Sequence, residues 1–215
     1  FEENTFGSGF DPNGIGSLGR ILNPDGTPAG NPFPINTTTT GDEIVGDVAA
    51  LENGKFVALF QGDDGSSEGL FFQRFDANGN KLGGEVPINT TTTGKQQGGS
   101  LAVLEDGRFV AVWEDYGGGG TANPQIVGRI FEANGTPASG EFVVNTTLGG
   151  SNTEPAITAL LDGGFLIAWT DTSQTAPDTS LGAVRAQRFD ADGNADGSQF
   201  LVNETVANRQ SQPSI

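Results

Sequence analysis

Histidine, cysteine and methionine are absent from the 215 residues, and lysine plus arginine number only 10. Without cysteine there is no disulfide, no thiol nucleophile and no record of redox compartment. Without histidine there is no Ser-His-Asp triad and no zinc or haem site of the usual kind. Against 10 basic side chains stand 27 acidic ones, a formal net charge of −17. That field repels phosphate backbones and anionic lipid, so no nucleic acid and no membrane insertion are expected. No apolar run approaches the roughly 20 residues that span a bilayer. The chain begins at Phe1 without a basic and apolar leader, which reads as a processed chain or a segment of a longer one.

What is abundant is the turn-forming set. Glycine alone contributes 34 residues, alongside many Asn, Asp, Thr and Pro. Between them lie short β-branched and aromatic runs such as Phe109-Val110-Ala111-Val112-Trp113. This combination favours many short strands with tight connections over helices or disorder.

Self-comparison is more informative still. Segments ending in Gly26, Gly79, Gly135 and Gly193 match one another, each preceded by an arginine and an Asp/Asn/Glu turn, and the glycines are 53, 56 and 58 residues apart. The asparagines Asn36, Asn89, Asn145 and Asn203 keep the same spacings. A third motif places Gly54, Gly107 and Gly163 just before Phe56, Phe109 and Phe165. Three motifs on one period establish the repeat.

Each unit reads as four strands, A to D. In the third, A covers about 100–104, B 109–113, C 126–131 and D 141–145, with a glycine-rich B–C loop at 115–123. Strand B is apolar on both faces, as in a strand buried between packed sheets. A meander of about 55 residues, repeated, is the sequence pattern of a propeller blade. The expected fold is therefore all-β: a β-propeller of about four blades of four antiparallel strands, forming a four-bladed ring or part of a larger one. The blades run over about 1–40 (partial), 41–94, 95–149 and 150–206, within one domain, and 207–215 begins or completes a blade. Phe1-Glu2-Glu3 aligns with the end of a strand B and residues 212–215 with a strand A, so closure by strand exchange and truncation of a longer array both fit.

The pattern at 73–80 (QRFDANGN), 88–94 (INTTTTG) and 104–113 (LEDGRFVAVW), with Gly84-Glu85, resembles tandem repeats of very large secreted proteins of Gram-negative bacteria and cyanobacteria. Such proteins often carry RTX (hemolysin-type) calcium-binding modules, and the repeats are similar to FG-GAP and integrin-type propeller repeats. The resemblance implies an extracellular or cell-surface protein with an adhesion or surface-assembly role. The hemolysin nonapeptide is absent, so any calcium must be held elsewhere.

Candidate sites follow from hard oxygen chemistry. Asp190, Asp192, Asn194 and Asp196 alternate oxygen side chains as calcium loops do, and Asp76, Asn78 and Asn80 repeat the spacing more weakly. The same residues also suit a bulged hairpin turn. Asp63, Asp64, Asp115 and Asp171 lie in the loops after strand B, where equivalent blades gather acidity on one face able to meet a cation or a sugar. Asn36, Asn89, Asn145 and Asn203 fit the N-glycosylation acceptor pattern, as does Asn134. Arg20, Arg74, Arg129 and Arg188, one per unit, are expected to pair with carboxylates of adjacent blades. Trp113, Trp169 and Phe60 are assigned to the core.

The leading expectation is a non-enzymatic adhesion or assembly module, with Ca²⁺ as the candidate cofactor. Its expected partners are further copies of itself, joined through open terminal strands, or surface proteins and glycans. The alternative is a lectin reading glycans through equivalent blade loops. A hydrolase is the third reading, and it requires two converging carboxylates without counterparts in other blades.

Overall fold

The computed structural model describes residues 2–3, 14–117 and 123–215. Among these the chain is all-β, with one 3-10 turn at Glu52–Gly54, and its strands form four antiparallel sheets. The first sheet has three strands, β1 (Glu2–Glu3), β2 (Gly16–Gly19) and β3 (Phe33–Pro34). The second holds β4 (Ile44–Ala50), β5 (Phe56–Asp63), β6 (Glu68–Phe75) and β7 (Val86–Pro87). The third holds β8 (Gln96–Val103), β9 (Phe109–Asp115), β10 (Gln125–Phe131) and β11 (Phe142–Val143). The fourth holds β12 (Asn152–Ala159), β13 (Phe165–Asp171), β14 (Ala183–Phe189) and β15 (Ala195–Leu201). Every sheet is a meander in chain order, and each full sheet falls within one of the repeat units read from sequence.

The A strands start earlier than their hydrophobic pattern suggests: β8 begins at Gln96 rather than near Ser100. A bulge explains the difference. Register slips between Val45 and Asp47, between Gln97 and Ser100, and between Thr153 and Ala156. The polar residues before each bulge still pair, but the alternation is broken there.

Sheets stack face to face through strands that are apolar on both sides. Phe109, Ala111 and Trp113 of β9 pack toward the second sheet with Val57, Leu59 and Phe72. Val110 and Val112, on the opposite face, pack toward Phe165, Ile167 and Trp169 of the fourth. Trp113, Trp169 and Phe60 are fully buried, as expected. Each of three interfaces carries a phenylalanine triplet: Phe33, Phe56 and Phe75; Phe72, Phe109 and Phe131; Phe142, Phe165 and Phe189. The first strands lie side by side, β4 against β8 and β8 against β12.

The repeated asparagine is a brace. Oδ1 of Asn36, Asn89, Asn145 and Asn203 accepts the backbone N–H of Ser17, Leu70, Ile126 and Val184 at 2.8–3.0 Å. Each Nδ2 donates to the carbonyl two residues on, at Thr38, Thr91, Thr147 and Thr205. Asn36, Asn89 and Asn145 are buried, so the acceptor nitrogens of these three sequons are enclosed and engaged in the fold. Asn134 is exposed in a C–D turn.

The arginine expectation needs correction. The four side chains occupy two registers. Arg20 and Arg129 share a position with Gln73 and Gln187, and all four donate to the carbonyl ten residues on: Gly30, Ser139, Gly83 and Gly197. Arg74 and Arg188 sit one residue later, on the opposite face. Contact between neighbouring units is made to carbonyls, Arg74 to Ala133 and Arg129 to Ile88. Arg188 does pair with carboxylates, but with Asp162 and Asp196 of its own sheet.

Residues 207–215 form no strand, yet they approach the fourth sheet as a first strand would. Gln210 N–H donates to Gly182, as Asn152 N–H does to Pro124 and Glu43 N–H to Ile15.

Candidate functional site

The C–D turns keep their oxygens for themselves. Oδ1 of Asp76 accepts the N–H of Asn78 and Asn80, and its Oδ2 accepts Asn80 Nδ2. Asp190 does the same with Asp192 and Asn194. These bonds, the Asn80 and Asn194 side chains foremost, hold both carboxyls below the usual carboxylate range. Asp192 turns to Arg108 and Asp196 to Arg188. Gly79 and Gly193 supply the φ of 81° and 83° that closes the turn. Among the described residues no group of three or more Asp or Glu converges to hold a metal ion.

The acids after the B strands are also bound locally. Asp63 accepts Gly65 N–H, and Asp64 accepts those of Ser66 and Ser67. Asp115 accepts Gly117 N–H and Gln96 Nε2. Asp171 goes further: it is 2% exposed and paired with Arg185, itself 5% exposed. Arg185 also donates to Thr175 O at 2.7 Å, tying the 172–182 loop down over the fourth sheet. The four residues sit at the same end of their sheets without converging.

A different set of residues links neighbouring sheets at this end. The residue after each buried core aromatic is Gln61, Glu114 or Thr170. The bulges of β8 and β12 place Gly98 and Glu154 in the left-handed region, at φ 64° and 57°, and Gln212 of the C-terminal segment has φ 58°. Glu154 N–H donates to Glu114 Oε1 at 2.8 Å. Glu154 Oε2 in turn accepts Thr170 Oγ1 at 2.7 Å and Gln212 N–H at 3.0 Å. On its other side Glu114 Oε2 accepts Gln97 Nε2 at 3.0 Å and Tyr116 Oη–H at 3.1 Å. Two carboxylates from adjacent sheets thus belong to one network, running from Tyr116 to Gln212. Glu114 is only 6% exposed. Burial, and then the Glu114 charge, push the Tyr116 phenol up to about 12.

This cluster is asymmetric. Gln61 takes the place of Glu114 in the second sheet and bonds Glu68, while Val45 takes the place of Glu154. Sequence reading placed the acidity of this loop at Asp115 and passed over Glu154, Tyr116 and Gln97. The available signal was the exchange of Gly98 for Glu154 at a position of the repeat whose backbone favours glycine.

No family model matches the chain, and no curated protein sequence matches it. Solved structures do. The NanB sialidase of Streptococcus pneumoniae superposes with a TM-score of 0.57 at 11% identity, over 86% of this chain and 28% of that one. A putative glycoside hydrolase of Parabacteroides distasonis gives 0.52 at 12% identity, over 91% and 62%. Levansucrase of B. megaterium gives 0.51 at 9% identity, over 90% and 63%. The chain therefore spans from about a quarter to under two thirds of these proteins' own lengths. At such identities the likeness is one of fold. It overturns the expectation that this chain is not an enzyme, because that inference treated the architecture and the lack of histidine as excluding catalysis. Glycan-processing proteins share the architecture, and carboxylates alone suffice for glycoside chemistry.

Proposed function

We propose that the four sheets are blades of a β-propeller and that the module is directed at glycans, which it meets at the Glu114–Glu154 cluster. The observation that carries this reading is the asymmetric pair Glu114 and Glu154, where β9 meets the first strand of the next sheet. Carboxylate oxygens accept sugar hydroxyls, and an asymmetric network fixes one orientation of a ligand where identical blade loops would not. The fold shared with a sialidase and a putative glycoside hydrolase supports it. The repeat's resemblance to secreted surface proteins supports an extracellular setting, in which adhesion to glycan-bearing surfaces would follow from binding.

A second reading, glycoside hydrolysis, is favoured by one specific feature: both carboxylates belong to one network with a phenol whose proton is held tightly. Screening the protein on a broad glycan array, with release of reducing sugar followed on every ligand that binds, tests both. Binding that is lost in Glu154→Gly, with no sugar release, supports the lectin. Release abolished by Glu114→Gln while binding persists supports the hydrolase. No binding and no release on any glycan sinks the proposal.

A further inference from the structure

The bulges that bring Glu154 to Glu114 also shape the interface between the second and third sheets. There a cleft of about 370 Å³ opens between β4 and β8, within the roughly 300–1,000 Å³ of small-molecule pockets. Leu59 and Leu70 of the second sheet line it, with Ile44 and Val45 beside them, and Gly98 and Gly99 form the wall from the third. In the next interface the two glycine positions carry Glu154 and Pro155. Neighbouring side chains leave room only for glycine here. A methyl at Gly98 would lie 3.2 Å from Glu114 Oε1, and one at Gly99 only 2.6 Å from Leu59 Cδ2. Gly98 therefore brings the cleft up to the Glu114 carboxylate.

One polar side chain reaches the cleft, and it holds an unused acceptor. Gln61 stands in the second sheet where Glu114 stands in the third. Its Nε2 donates to Glu68 at 2.9 Å, while its Oε1 accepts no hydrogen bond among the described residues. At the equivalent place Glu114 Oε1 receives the Glu154 amide. None of the residues lining the cleft is charged.

Given the glycan-directed reading, on which this step rests, we infer that the cleft takes the acetamido group of a neutral N-acetylhexosamine bound at Glu114 and Glu154. An acetamido group carries an N–H donor beside a methyl. The N–H would donate to Gln61 Oε1, the methyl would cover Leu59 and Leu70, and ring hydroxyls would reach Glu114 across Gly98. A deoxy sugar offers a methyl without the donor and leaves the Gln61 acceptor desolvated and unpaired, which is costly. An anionic N-acetylated sugar is opposed by Glu114, Glu154 and the net charge of −17.

The test is saturation-transfer NMR on the whole protein, with N-acetylglucosamine, N-acetylgalactosamine, glucose and galactose as probes. The N-acetylated sugars should bind about tenfold more tightly than the hexoses, roughly 1.4 kcal/mol, and their acetamido methyl should be the most strongly saturated group. Gln61→Leu removes the acceptor while Lys95 still pairs with Glu68. Ile44→Asp places a charge at a lip position that is 40% exposed. Each variant should erase the preference at unchanged melting temperature. Equal binding of hexoses and their N-acetylated forms, or a methyl saturated no more than the ring protons, overturns the acetamido cleft and leaves the glycan-directed reading standing. So does a preference that survives both variants. Absence of binding by all four sugars also overturns it, and the glycan array then decides the wider reading on its own.

Discussion

At the scale of single residues, this chain uses polar side chains to organise backbone. Asn89 accepts a buried N–H from Leu70 and returns a donor to Thr91, and its three counterparts repeat the arrangement. Asn89→Ala strands the Leu70 amide, and a buried unsatisfied donor costs about 1–3 kcal/mol. Urea denaturation should show that loss, and an unchanged midpoint would remove the brace from the account. Tyr116 offers a cleaner probe because it is the single tyrosine. Its phenol ionises in the unfolded chain near the ordinary 10.0 and in the folded protein near 12. The stability it contributes is complete below the first value and fades as pH rises through the second. Ultraviolet titration of tyrosinate should give a midpoint near 12, moving down toward 10 in Glu114→Gln, where the neighbouring charge is gone. A midpoint near 10 in the unaltered protein would contradict the buried network.

At the scale of elements, strands and turns were legible because the repeat amplifies weak signals. Gly26, Gly79, Gly135 and Gly193 mark one turn four times, and all have positive φ. The two-faced apolar strand β9 was readable from Phe109 to Trp113 because alternation leaves no polar position. The bulges were hidden, since an extra residue in a strand leaves no compositional trace. With them went the register that brings Glu154 to Glu114. The arginine registers were hidden for a related reason: Arg74 and Arg129 sit five and six residues before their glycines, and in a strand one residue exchanges faces. The loop over the fourth sheet owes its position to the Asp171–Arg185 pair, which nothing in spacing announced. Removing one partner of such a buried pair leaves an uncompensated charge, so Arg185→Ala should cost about 3–5 kcal/mol in chemical denaturation. A loss under about 1 kcal/mol would instead place the pair in the class of surface ion pairs.

At the scale of the whole molecule, the sheets share one grammar, and the Glu114–Glu154 network sits where the third sheet meets the fourth. The turn acids stand out in the sequence, and they are engaged by their own hairpins or, for Asp192, by Arg108. Melting in millimolar calcium and in excess chelator should therefore coincide. A rise of several degrees with calcium would mean a site bound by mass action, assembled from turns that the present hydrogen bonds would have to leave. The acidic excess still disfavours polyanions, but it is compatible with neutral glycans, whose hydroxyls donate to carboxylates.

The measurement that bears most directly on the central claim is glycan binding by the unaltered chain beside Glu154→Gly. That substitution is compatible with the left-handed backbone which Gly98 already adopts in the neighbouring sheet, and removes the side chain with its carboxylate. The account predicts saturable binding of at least one glycan by the unaltered chain and its loss in the variant at unchanged melting temperature. Equal binding by the two proteins would move the site away from Glu114 and Glu154, and no binding by either would contradict the glycan-directed reading itself.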